Sequence, residues 1–235
     1  MHKYHKIPNI FERDCTRGKS GVLLDGVYTS HELELLADFP VWRFTEKVDG
    51  MNIRVMWDGV RVSFGGRTDN AVLPAPVIDK LAEYFGGEDK EELFEQRFGD
   101  REVILFGECY GGRIQAVGPK YGDVDFILFD VSWNGSYLPY DKVQEIAEYF
   151  GIRTVPVVGE GTLGQGIEYV RRAPHSLLSE DAPMEGVVAK PMVDLYGGGI
   201  GGARVMCKIK ARDFPPYYAG GAETETETDE GSGVV

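Results

Sequence analysis

The chain has 235 residues, 43% of them hydrophobic and 11% aromatic, and carries a net charge of −13 at neutral pH. That length can bury a sizeable core in one large domain, and the acidity argues against a protein that coats nucleic acid through its overall field. No apolar run approaches the roughly 18 residues of a membrane span, and the opening "MHKYHKIPNIFERD" lacks the apolar centre of a signal peptide.

In chain order, the first forty residues, including "KYHKIPNIFERD" and "SHELELLADFP", are expected to pack on the core or to touch nucleic acid. Strand-like stretches follow, rich in Val, Ile and Phe and bounded by Gly, Asp or Pro: "VWRFTEK", "MNIRVMW", "VRVSFGG", "EVILFGECY" and "DFILFDVSW", then "TVPVV", "MEGVVAKP" and "ARVMCKIK". "WDGV", Trp57 to Val60, and "WNGSY", Trp133 to Tyr137, read as tight turns. Helical periodicity marks "PAPVIDKLAEYFGG", "DKEELFEQRFG" and "YDKVQEIAEYFG", each followed by glycine, and more weakly "TLGQGIEYVRRAP". Hairpins dominate without regular β-α-β alternation, which predicts an α+β fold with antiparallel sheets flanked by helices. "YGGGIGGA", Tyr196 to Ala203, lacks the lysine of a phosphate-binding loop and reads as a flexible connector.

The tail "GGAETETETDEGSGVV" holds five carboxylates, whose removal leaves a charge of −8. Residues 215–235 are therefore expected to be an acidic disordered tail, after a folded domain over residues 1–214. Cys15, Cys109 and Cys207 are odd in number and far apart, which predicts reducing, intracellular (cytoplasmic) surroundings. His2, His5, His31 and His175 show no metal-ligand spacing and are expected at surface or capping positions.

Lys47 stands two residues before Asp49-Gly50, and alone this K-x-D-G reads as a hairpin turn beside a lysine reaching water. Further on come "GGRTDN" with Arg67, "LFGECYG" with Glu108, "FILFDV", "MEGVVAK" with Glu185 and "CKIKARDF" with Lys208 and Lys210. On a strand the two lysines of "KIK" share one face. Together and in this order, the segments resemble the covalent nucleotidyltransferases, the superfamily of polynucleotide ligases and mRNA capping enzymes. Within it they look closest to phage-type RNA ligases that seal nicks, over residues 47–212.

The resemblance implies a ligase adenylation fold and an ATP-dependent RNA ligase in which Lys47 is the nucleotidyl-lysine. It places nucleotide contacts at Asn52, Arg67, Glu108, Lys208 and Lys210, and through the backbone at Glu46. It makes Phe129 the ring that stacks on adenine, with Phe126 on the same strand as the other choice. Glu185 would be tied to a metal, and Asp49 would orient Lys47 or bind metal-bound water. Mg²⁺, with Mn²⁺ as a substitute, is the expected companion of ATP. The expected partner is RNA with 5′-phosphate and 3′-hydroxyl ends, in a nicked duplex, and the chain is expected to be a monomer. A free lysine is a poor nucleophile because its pKa is about 10.4, and burial and positive neighbours are what would activate it. Arg43, Arg54, Arg61, Arg113, Lys120 and Lys190 are candidates for a phosphate track. Only about 25 residues follow Lys210, too few for the OB-fold of DNA ligases and capping enzymes. Two other readings stay open: a GTP-using capping guanylyltransferase and an inert RNA-end-binding protein.

Overall fold

The computed structural model describes residues 3–17, 21–198 and 202–216. The acidic stretch from residue 217 onward and the centre of the glycine connector, residues 199–201, lie outside the described residues.

Two antiparallel sheets carry the fold. In the six-stranded one, β5 (Val62–Gly66), β4 (Met51–Trp57), β6 (Val103–Tyr110), β7 (Asp125–Trp133) and β8 (Ser136–Tyr137) run in that order, and β9 (Arg153–Thr154) adds a short parallel pairing to β7. The four-stranded sheet has the order β10 (Val157–Gly161), β3 (Trp42–Glu46), β11 (Gly186–Pro191), β12 (Cys207–Lys210). Helices cover the outer faces. On the larger sheet lie α2 (Ala75–Phe85), α3 (Glu88–Phe98) and α5 (Tyr140–Tyr149), whose Val77, Leu81, Phe85, Phe94 and Ile146 pack on Ile53, Leu105 and Leu128. The smaller sheet is covered by α1 (His31–Leu36) and α6 (Leu163–Arg171), through Leu33, Leu163 and Val170 against Trp42, Val187 and Ile209. A single-turn helix, α4 (Gly118–Tyr121), sits in the β6–β7 connection. The spacing of Val77, Leu81 and Phe85 at steps of four puts them on one stripe, and all three are fully buried.

Two departures from the sequence reading shape the inner faces. "TVPVV" is two strands, because Pro156 interrupts the run: Thr154 pairs with Leu128 in one sheet and Val157 with Thr45 in the other. Asp49-Gly50 likewise closes no hairpin. β3 belongs to the small sheet and β4 to the large one, so residues 47–50 carry the chain from one sheet to the other. Gly50 is needed there because a Cβ would overlap the Cys109 carbonyl oxygen.

The turn after β4 also sits one residue later than expected. Asp58 N–H donates to the Arg61 carbonyl and Trp57 pairs with Val62, which centres the turn on Gly59-Val60. The Asn134-Gly135 turn is as expected, with both residues at positive φ. The first forty residues do pack on the core. They form a hairpin of β1 (Phe11–Asp14) and β2 (Val22–Tyr28), then α1, whose Ser30 side chain accepts from Leu33 N–H. Ahead of β1, Asn9 bridges Lys208 in parallel and extends the small sheet past β12.

Candidate active site

Between the inner faces lies a cavity of about 250 Å³. Eight of the ten residues singled out in the sequence line it: Glu46, Lys47, Asn52, Arg67, Glu108, Phe129, Lys208 and Lys210. The other two, Glu185 and Asp49, stand beside Lys47. Glu185 accepts from Lys47 Nζ at 2.6 Å through one carboxylate oxygen and lies 3.1 Å from Lys210 Nζ through the other. The end of β3 is fixed by Lys47 N–H donating to the Gly186 carbonyl and Glu46 N–H donating to that of Pro156.

The sheets explain how distant residues meet. Asn52 and Glu108 are direct partners across β4 and β6, so their side chains share the inner face. On β12, Lys208 and Lys210 alternate with the buried Cys207 and Ile209. Phe129 reaches the cavity through a β-bulge: Phe106 pairs with Asp130 and Gly107 with Leu128, leaving Phe129 as the extra residue. Phe126 points the other way. It packs on Phe85 in the core and fills the space over Gly107, so the cavity ring is Phe129.

The charges are strongly coupled. Burial pushes the Glu108 carboxyl up to about 8; Lys47 opposes the rise, while Glu185 and Asp49 add to it. Burial lowers the Lys208 amine to about 8, helped by the positive charges of Lys210, Lys47 and Lys6. Asp49 is raised by burial and by Glu185 against the pull of Lys47 and Lys210. Lys47 has Lys208 and Lys210 nearby, as the sequence leads one to expect, and in addition a carboxylate, Glu185, in contact with its amine.

Glu46 meets the cavity through its backbone. Its carboxyl is buried on the opposite side, where it accepts from Ser176 Oγ and from Leu177 N–H at 2.9 Å, and burial raises it against those bonds. Asn52 Oδ1 is buried with no hydrogen-bond partner, an acceptor left open in the cavity wall.

Three of the six phosphate-track candidates are tied to carboxylates within the fold. Arg54 is 1% exposed, donates to the Gly66 carbonyl and to Asp69 at 2.8 Å each, and so braces the turn that presents Arg67. Arg43 is bound to Glu160 and stacked on Tyr140, and Lys190 is bound to Asp130 at 2.8 Å. Arg61, Arg113 and Lys120 are exposed and line no part of the cavity.

Sequence reasoning missed the N-terminal wall, where Tyr4, His5, Lys6 and Ile7 line the cavity. His5 is no surface residue: its ring stacks on Tyr4 and its Nε2 lies 2.8 Å from Met206 Sδ. The K-Y-H-K run of aromatic and basic residues was the available signal.

Among the described residues no group of three or more His, Cys, Asp or Glu forms a metal cage. The donors present fit a hard cation of the magnesium type, which keeps most of its waters and needs only one or two carboxylates beside substrate phosphates. Glu185 and Asp49 are such a pair.

Two sheets cup a lysine on an inter-sheet crossover, with the "KIK" strand two places along in the smaller sheet, and the fold is of the RNA ligase nucleotidyltransferase class. Solved structures similar in shape agree. A lysine-to-methionine mutant of Naegleria gruberi RNA ligase with AMP and Mn aligns with TM-score 0.56 and 19% identity, over 76% of this chain and 51% of that one. A glutamate-to-alanine mutant of the same ligase with AMP and Mn gives TM-score 0.58 at 19% identity, over 77% and 52%. A lysine-to-alanine mutant with ATP and Mn gives 0.56 at 19%, over 74% and 51%. The chain thus spans about half the length of these structures. No curated protein sequence matches it. The RNA ligase family matches residues 40–210, and the chain belongs to that family.

Proposed function

We propose that this chain is the adenylyltransferase domain of an ATP-dependent RNA ligase, with Lys47 as the nucleophile. The observation that carries the reading is the placement of Lys47 Nζ on the cavity wall, held by Glu185 and flanked by Lys208 and Lys210. ATP and Mn accompany the similar Naegleria structures, which supports an adenine nucleotide and a divalent cation here.

In this reading the base stacks on Phe129, the ribose meets Glu108 and Asn52, and the phosphates meet Arg67, Lys208 and Lys210. Glu108, neutral below about pH 8, can donate to one ribose hydroxyl and accept from another. Glu185 Oε2, 2.6 Å away, holds the Lys47 amine in place, and Lys47 sheds one proton to solvent before it attacks. The amine then attacks the α-phosphorus: an N–P bond forms, the bond to the α,β-bridging oxygen breaks, pyrophosphate leaves, and a second proton is lost from nitrogen. A divalent cation held by Glu185 and Asp49 would neutralise phosphate charge and withdraw the counter-charge from Lys47. AMP next passes to a 5′-phosphate, and a 3′-hydroxyl displaces it to close the phosphodiester. These are positioning and charge-neutralising steps, and the cavity is built from groups of that kind.

The finer reading is nick sealing by a monomer in a reducing, cytoplasmic setting. A duplex delivers both ends at high effective concentration to a single cavity. The first experiment incubates the protein with Mg²⁺ and labelled ATP or GTP, then looks for label that survives denaturing electrophoresis. Label from ATP alone is expected; label from GTP would favour a capping-type activity, and none from either an inert binder. For the finer reading, pre-adenylylated 5′ ends in nicked duplexes, with RNA or DNA on the 3′-hydroxyl side, are compared with the same strands unannealed. Equal use of RNA and DNA, or a preference for free strands, would sink nick sealing.

A further inference from the structure

The cations of the cavity fall into two sets. Lys47 and Lys210 share Glu185, and Lys190 is paired with Asp130. Among the described residues, Lys6, Arg67 and Lys208 line the same cavity without a carboxylate partner. Arg67 and Lys208 come from the sheets, whereas Lys6 comes from the N-terminal segment.

That segment is pinned on both sides of Lys6. Ahead of it, Tyr4 is 5% exposed and donates through its hydroxyl to Asp130 at 2.8 Å. Behind it, Lys208 N–H donates to the Pro8 carbonyl at 2.9 Å, and Ile10 N–H donates to the Lys208 carbonyl at 3.1 Å. The backbone at Lys6 is therefore held across the cavity rim while its side chain is exposed. Its charge acts on Lys208, so two unpaired ammonium groups are kept near each other by the surrounding structure. Holding like charges together is unfavourable without an anion between them, and a polyphosphate is the anion this cavity is built for.

The sheet order says which phosphates. From β3 the order runs β11, β12, then the segment at Asn9, so Lys6 and Lys47 approach Lys208 from opposite sides. In an in-line displacement the leaving group departs opposite the attacking nitrogen. We propose that Lys6 binds the β- and γ-phosphates of the nucleotide and takes up the charge of the pyrophosphate as it leaves. This rests on the reading of Lys47 as nucleophile. As the N–P bond forms and the P–O bond to the β-phosphate breaks, the bridging oxygen leaves with the electron pair, and its new charge develops on the Lys6 side.

The test is a binding experiment on the full chain, using magnesium pyrophosphate and AMP as separate probes in titration calorimetry. Lys6→Ala is expected to weaken pyrophosphate binding about tenfold and to leave AMP binding unchanged, with most of the loss restored in Lys6→Arg. Lys3→Ala, a change at an exposed residue paired only with Asp69 at 3.7 Å, serves as the control. A kinetic arm adds adduct formation from ATP, discharge of the adduct by pyrophosphate, and sealing of pre-adenylylated strands. The first two should slow about tenfold in Lys6→Ala and the third should not. Equal weakening of both probes, or equal slowing of the sealing step, would make Lys6 a structural part of the segment and overturn the proposal. So would unchanged pyrophosphate binding. Absence of any Lys47 adduct in the unaltered protein would defeat the ligase reading instead, and the pyrophosphate titration would still judge Lys6.

Discussion

Two carboxylates in this molecule each gather cations, and they have opposite characters. Asp130 is 2% exposed and takes the Tyr4 hydroxyl at 2.8 Å, Lys190 Nζ at 2.8 Å and Arg204 Nη1 at 2.6 Å. Arg204 in turn reaches Asp194 and lies 4.1 Å over the Tyr137 ring. Burial alone would raise the Asp130 carboxyl, but the charges of Lys190 and Arg204 and the bonds they donate hold it below the usual range. Glu185 binds two lysines as well, yet its side chain is 22% exposed and it stands at the cavity with Asp49 close by. The first cluster closes on a buried carboxylate, with three donors converging on one of its oxygens. The second is open, and its lysines can exchange Glu185 for another anion. A buried carboxylate makes a strut, whereas an open one makes a site.

The sharpest break of this comparison is at Lys47. Lys47→Ala is expected to abolish the covalent AMP, and Lys47→Arg should too, because a guanidinium does not deprotonate in proteins. Intact-mass measurement after incubation with ATP decides it, and an adduct in either variant would move the nucleophile elsewhere. The strut is tested by Asp130→Ala, which strands the buried Arg204, leaves Lys190 unpaired and should cost about 3–5 kcal/mol in urea unfolding. Glu185→Ala should lose less than about 1 kcal/mol in the same assay, while adduct formation drops and excess Mg²⁺ or Mn²⁺ partly restores it. Similar stability losses in the two variants would erase the distinction.

Next in size, Lys208→Ala and Lys210→Ala should each slow adduct formation about 10²-fold, in the range of single electrostatic stabilisers. Single-turnover rates at saturating ATP measure this, and a loss under threefold would take that lysine out of the phosphate site. The smallest effect is with pH. Below about 8 Lys208 is charged and Glu108 neutral, and above it Lys208 is neutral and Glu108 charged. Both changes withdraw positive charge as pH rises through 8, so binding of an α,β-methylene ATP analogue should weaken, by up to roughly tenfold per pH unit for each group. Affinity that holds steady from pH 7 to 9 would mean that neither group titrates in this range.

Much of the site was legible because strand period and residue order carry it. "CKIK" could only present its lysines together, and "VILFGECY" and "MNIRVMW" pair so that Glu108 and Asn52 meet. Three things were not legible, each for a physical reason. "KVDG" has the local chemistry of a turn, and only the pairing of β3 and β4 in different sheets makes it a crossover. Arg54 read as part of a phosphate track because nothing near it in sequence pairs its charge visibly, yet its guanidinium donates to the Gly66 carbonyl and to Asp69. The N-terminal segment has no periodicity of its own, since its order comes from Asp130 and Lys208, far away in sequence.

The single extra residue in β7 has a geometric consequence. Without the bulge, alternation would send Phe129 and Asp130 to opposite faces; with it, the ring that walls the cavity and the carboxylate that anchors Tyr4 stand on the same face. In the proposed reading, a base stacked on Phe129 would sit one residue from the carboxylate that anchors the N-terminal segment. Removing the bulge would shift β7 by one position and part the two.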